Sequence, residues 1–198
     1  MDEISPESKQ SARIFVVKNI FVVHRILLAV LLAAQAPFAL GQNAKISAVQ
    51  NPKVPDAIKV PAGEKLVLIA RATGSQIYVC RPDAAGQPAW TLKAPEAQLF
   101  DHQGNVIGKH FGGPTWKHND GSEIVGKMAA KVEAPDASAI PWLLVNVTDH
   151  SGSGAFSGIT TIQRIHTTGG LPPAGSCKES DAEVKSSYTA DYYFYARQ

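Results

Sequence analysis

Turn residues punctuate this chain about every eight to twelve positions from residue 60 to its end. Between them run short stretches rich in Val, Ile, Thr and aromatic residues. Asn119-Asp120-Gly121 is the strongest of these turn signals, because Asn, Asp and Gly tolerate positive φ at low cost. No helical period appears after residue 41. A chain so interrupted has no room for an amphipathic helix, and its apolar residues must be buried by strands. The pattern predicts an all-β fold: a single antiparallel β-sandwich or barrel-like domain built as a hairpin meander.

The expected strand order follows from the text of the chain. "EKLVLIARAT" and "IYVCRP" read as two β runs around a "GSQ" turn. "WTLKAPEAQLFD" is extended, with Pro95 marking a break or an edge. "NVIGKHFG", "PTWKH" and "SEIVGKMAAKVEA" follow, then "WLLVNVTDH", "ITTIQRIHTT" and the aromatic "SSYTADYYFYA". "DHQGNVIGK" and "NDGSEIVGK" echo one another, as successive hairpins of a meander would.

The first 60 residues differ from the rest. An apolar run, "ILLAVLLAAQAPFAL" at 26–40, follows His24-Arg25 and ends on Ala39-Leu40-Gly41. This is the pattern of a signal peptide cleaved before Gln42, with a retained anchor as the other reading. The run is shorter than the ~20 residues a spanning helix needs, so no stable membrane span is expected after cleavage. The expected organisation is a signal segment at 1–41, an extended linker or lead-in at 42–60 and the β domain at 61–198. Without residues 1–41 the chain loses four basic and three acidic residues, leaving 15 and 14. That near neutrality gives no electrostatic footprint for nucleic acid. Only Cys80 and Cys177 remain, and two cysteines in an exported chain read as one disulfide. The expected location is therefore secreted or periplasmic.

Chemistry-bearing residues concentrate in "GKHFGGPTWKHNDGS", residues 108–122. Four readings compete for it. In the first, the chain forms a sheet corner that presents Trp116, His118, Asp120 and His110 to a small molecule or glycan, with Arg164 supplying a further polar contact. In the second, His110 and His118 share a metal with Asp120 or His166, although no metal-binding motif is present and no cofactor is expected. In the third, Ser122, His118 and Asp120 form a hydrolytic triad, or Glu96 and Asp120 a glycosidase pair. In the fourth, the protein is a cell-envelope interaction or stress protein with no small-molecule site. The first reading leads: a non-catalytic binding module, with an extracytoplasmic enzyme using His110, His118 and Asp120 as the alternative. Trp142, inside apolar "IPWLLV", is expected in the core. Trp116, inside polar "GGPTWKHND", is expected at the binding edge. The sequon Asn146-Val147-Thr148 falls in an expected central strand and is expected to stay unmodified.

Five blocks in order, "AWTLKAPEAQLFD", "GKHFGGPTWKHNDGS", "AIPWLL", "TTIQRIHTTGGLPP" and "YTADYYFYA", resemble the secreted bacterial and fungal proteins grouped as domain-of-unknown-function family 3455. The resemblance spans roughly residues 54–196. It implies no activity, and the malate dehydrogenase label that some fungal members carry finds no support in these residues. "GSGAFSG" at 152–158 misplaces the third glycine of a dinucleotide loop and leads into a β pattern where a helix should receive the pyrophosphate. It reads instead as a flexible hairpin loop.

Overall fold

The computed structural model describes residues 50–198; the expected signal segment lies outside them. Eight strands follow a short 3-10 turn at Asp56–Ile58: β1 (Glu64–Pro82), β2 (Pro88–Phe100), β3 (Val106–Phe111), β4 (Thr115–His118), β5 (Glu123–Val132), β6 (Trp142–Ser151), β7 (Ile159–Gly169) and β8 (Glu183–Arg197). Each strand pairs antiparallel with the next, and β8 returns to pair with β1. The sheet therefore closes into an up-and-down barrel. Of the two architectures the sequence allowed, it is the barrel. Closure removes every free sheet edge, which is how such folds avoid pairing with other chains. Among the described residues no helix is long and apolar enough to cross a membrane.

One correction to the sequence reading concerns β1. It does not turn at Gly74-Ser75-Gln76 but runs unbroken through it, with Gly74 paired to Ala97 and Tyr188 on its two sides. Gly74 is there for proximity: a Cβ on it would stand 2.1 Å from the Glu96 carbonyl oxygen. Likewise Pro95 neither breaks β2 nor marks an edge. It pairs with Gln76 beside a register shift in which Lys93 is the extra residue, and a bulge can tolerate a missing N–H.

Alternation divides each strand between the barrel interior and its outside. β8 sends Tyr188, Ala190, Tyr192 and Phe194 inward. β1 adds Ala70 and Ala72, β2 Ala97 and Leu99, β4 Trp116, β5 Ile124, β6 Val145 and β7 Ile162. Small residues on β1 and β2 face large rings from β4 and β8, as filling a barrel of this size requires. The β6–β7 loop is not the flexible loop its composition suggests. Its Phe156 is fully buried and stacks on Phe194 at 4.8 Å, plugging one end of the barrel. At the other end Ala139 bridges to Gly170, Ile140 is buried, and the Tyr78 hydroxyl donates to the Gly170 carbonyl at 2.7 Å.

The lead-in docks on the barrel. Ile58 is fully buried and its carbonyl accepts from Gln163 Nε2 at 2.7 Å, while Gln163 Oε1 accepts from the Tyr195 hydroxyl at 2.7 Å. Cys80 and Cys177 form the expected disulfide, tying β1 to the β7–β8 loop with a Cα–Cα distance of 5.6 Å.

Candidate functional site

The 108–122 stretch folds as the end of β3, a Gly-Pro corner, β4 and the Asn119-Asp120-Gly121 turn. His110 and Trp116 are direct cross-strand partners with both side chains inward. Their rings stack at 4.2 Å with only 10° between planes. Tyr192 meets both edge-on, at 5.3 Å from His110 and 5.7 Å from Trp116. Gly126 leaves space for the indole: a Cβ there would lie 3.0 Å from Trp116 and 2.5 Å from Val145. Trp116 is thus core rather than binding edge, at 2% exposure. Trp142 shows the reverse. It is half-buried on the outer face, edge-on to His166 at 5.5 Å.

His110 Nδ1 lies 2.8 Å from the Thr115 carbonyl oxygen. A carbonyl only accepts, so the proton sits on Nδ1 and Nε2 carries the lone pair. Burial pulls the His110 pKa down to about 3, with Arg164 adding to the fall, and the ring is neutral at physiological pH.

Arg164 pairs across the sheet with Tyr192 and therefore shares its inner face. Its Nη2 donates to the Pro141 carbonyl at 2.8 Å. Burial raises the phenol pKa of Tyr188, Tyr192 and Tyr78, and the nearby Arg164 cation opposes the rise in all three. Near this cation lie Tyr188, Tyr192 and His110; Trp116 packs on the last two, and buried Gln76 shares the inner face of β1, completing the polar layer of the barrel. Gln76 Nε2 and Trp116 Nε1 are buried with no hydrogen-bond partner among the described residues, while Arg164 and the Tyr188 and Tyr192 hydroxyls lie within reach of one another but in poor hydrogen-bond geometry. Buried polar atoms normally find good partners, so this interior layer is under-bonded by the protein's own groups.

Asp120 and His118 belong to a different structure, a latch. Asp120 Oδ1 accepts from the Ser122 amide at 2.9 Å and the Ser122 hydroxyl at 2.6 Å. Its Oδ2 accepts from the Ala155 amide at 2.7 Å, and His118 Nδ1 lies 2.9 Å away. Ser122 Oγ in turn accepts from the Phe156 amide at 3.1 Å. These bonds, the Ser122 hydroxyl's first, hold the Asp120 carboxyl far below its usual pKa. The latch explains the glycines opposite it, since a Cβ on Gly154 would fall 2.2 Å from Asp120 Oδ2.

The geometry separates the residues that other readings required together. In a triad the histidine lies between nucleophile and carboxylate. Here Asp120 lies between Ser122 and His118, and the fully buried Ser122 hydroxyl is spent on the latch. Glu96 stands on the outside, paired with Lys185 at 2.6 Å. His166 also faces out, bonded to Asp191 at 2.9 Å, on the far side of the wall from His110. Among the described residues no three His, Cys, Asp or Glu side chains converge on one point. Of the five residues proposed from sequence, the fold gathers His110, Trp116 and Arg164 into the polar layer and sets His118 and Asp120 at the plugged end. Sequence reasoning missed Gln76, Tyr188 and Tyr192. The period-2 spacing of Tyr188, Tyr192 and Phe194 in "YTADYYFY" was the signal that could have placed the tyrosines on one face.

Fold and interior together define a disulfide-tied, closed eight-stranded antiparallel barrel with an apolar plug at one end and a donor-rich polar layer within. The chain matches the family described as "Protein of unknown function (DUF3455)" over residues 61–196, and it belongs to that family. Comparison with curated proteins and with solved structures found no match.

Proposed function

We propose that the protein is a non-catalytic barrel that binds a small polar molecule in its interior layer, outside the cytosol. One observation carries this reading: buried Gln76 Nε2 and Trp116 Nε1 have no acceptor among the described residues, and Arg164 and the Tyr188 and Tyr192 hydroxyls have only one another, in poor geometry. An unmade buried hydrogen bond costs about 1–3 kcal/mol, so a layer under-bonded in this way gains by accepting a ligand. The ligand must be rich in acceptors. It must also be only a few heavy atoms in size, because the layer is packed with rings; a glycan does not suit it. The Cys80–Cys177 disulfide and the apolar segment at 26–40 support an oxidising compartment. The test is titration calorimetry against small polar molecules, with Tyr192→Phe beside the parent protein. The parent is expected to bind at least one of them, and Tyr192→Phe to bind it more weakly while folding normally. Equal affinity in both proteins, or no binding to the parent, refutes the reading.

A further inference from the structure

Among the described residues the polar layer contains a positive charge and no negative one. Arg164 forms no ion pair among the described residues. The side chains around it are phenols, an indole, an amide and His110, whose proton on Nδ1 leaves the ring neutral. Asp191, on neighbouring β8, holds His166 on the outer face. Tyrosine hydroxyls are poor substitutes for a counter-charge, since burial holds their protons on. Arg164 is half-buried, and a guanidinium facing a protein interior pairs best with a planar oxyanion that takes two of its N–H groups. With Nη2 committed to Pro141, Nε and the two phenols, poorly bonded among themselves, remain to turn toward such an anion.

On this charge balance we infer that the ligand of the interior layer is a small carboxylate, with Arg164 as its counter-ion and the Tyr188 and Tyr192 hydroxyls donating to its oxygens. The inference rests on the binding reading above and adds the ligand's charge to it. Acetate and its neutral isostere acetamide separate the two claims, titrated at pH 7 in chloride-free buffer against the full chain, Arg164→Gln and Tyr188→Phe. Acetate is expected to bind the parent roughly tenfold or more tightly than acetamide, because charge-assisted hydrogen bonds are the stronger. Arg164→Gln should abolish that preference. Tyr188→Phe, which keeps the ring, should weaken both probes and keep the preference, and it serves if Arg164→Gln does not fold. Acetamide binding as tightly as acetate overturns the anion inference and leaves the interior site standing. No binding of either probe overturns both.

Discussion

The imidazole of His110 lies flat on the indole of Trp116, two rings from adjacent strands stacked at 4.2 Å inside a closed barrel. This pair holds β3 against β4 at the level where the polar layer begins. Removing one ring leaves the other without its face contact and opens a large cavity.

Trp116→Ala is therefore expected to cost about 3–5 kcal/mol, the usual range for emptying a large aromatic site. Trp142→Ala should cost only about 1 kcal/mol, since that ring lies half-buried on the outside. Urea melts of the two variants measure the difference. Equal losses would mean that the inward and outward faces of β4 and β6 have been misassigned.

The contrast between these tryptophans shows what the sequence carries and what it hides. Strand periodicity and turn residues made the all-β meander legible, because both are local. Burial of a strand residue is not local. Trp116 sits among polar neighbours, yet its flanking Lys117 points outward and says nothing about the inward face. Trp142 sits among apolar neighbours because β6 is apolar on both sides near its start. Which face becomes interior is settled only when β8 closes on β1, a pairing between segments over a hundred residues apart. The same holds for the site. His110, Trp116 and Arg164 were visible as chemistry, but their meeting with Tyr188, Tyr192 and Gln76 depends on that closure. The latch was hidden because "NDGS" and "SGSGAFSG" each read as a complete turn by itself.

Acid should destabilise the protein through His110. Its pKa in the fold is about 3, and in the unfolded chain it returns to about 6.5. Between these values the unfolded state binds more protons, so stability falls as pH drops, by up to about 1.4 kcal/mol per pH unit. Above pH 6.5 the group contributes no slope. His110→Phe keeps a ring against Trp116 and removes the titration. Its melts between pH 6.5 and 3 should show a shallower loss than the parent's, and parallel curves would refute this account of His110.

Asp120 should control the plug. Asp120→Ala removes the acceptor for the Ala155 amide and frees Ser122, whose oxygen accepts from the Phe156 amide. Hydrogen exchange at residues 154–156 is expected to accelerate far more than exchange in β7 and β8. Because the carboxyl is held below its usual pKa in the fold, its contribution is present above pH ~4 and disappears as pH falls through the lower, folded value. Unchanged exchange at Ala155 and Phe156 would show that Phe156 is held by packing alone.

The closest contact between strands sets the last test. Gly74 has an ordinary negative-side backbone, so alanine there carries no φ penalty, and by chain entropy alone it should stabilise by about 0.4–1 kcal/mol. Its Cβ would nevertheless stand 2.1 Å from the Glu96 carbonyl oxygen and 2.6 Å from the Ala97 Cβ. The obstacle is the β2 main chain, which cannot rotate away as a side chain would. Gly74→Ala is expected to destabilise by about 1–3 kcal/mol, the range for overpacking a filled interior. Gly158→Ala is the control: it too lies outside positive φ, and its Cβ meets nothing within 4 Å. That variant should be neutral or more stable by about 0.4–1 kcal/mol. Denaturant melts of the pair read the sign directly. A stabilising Gly74→Ala would mean that β1 and β2 do not approach this closely, and that a turn at residues 74–76 describes the chain better than a continuous strand.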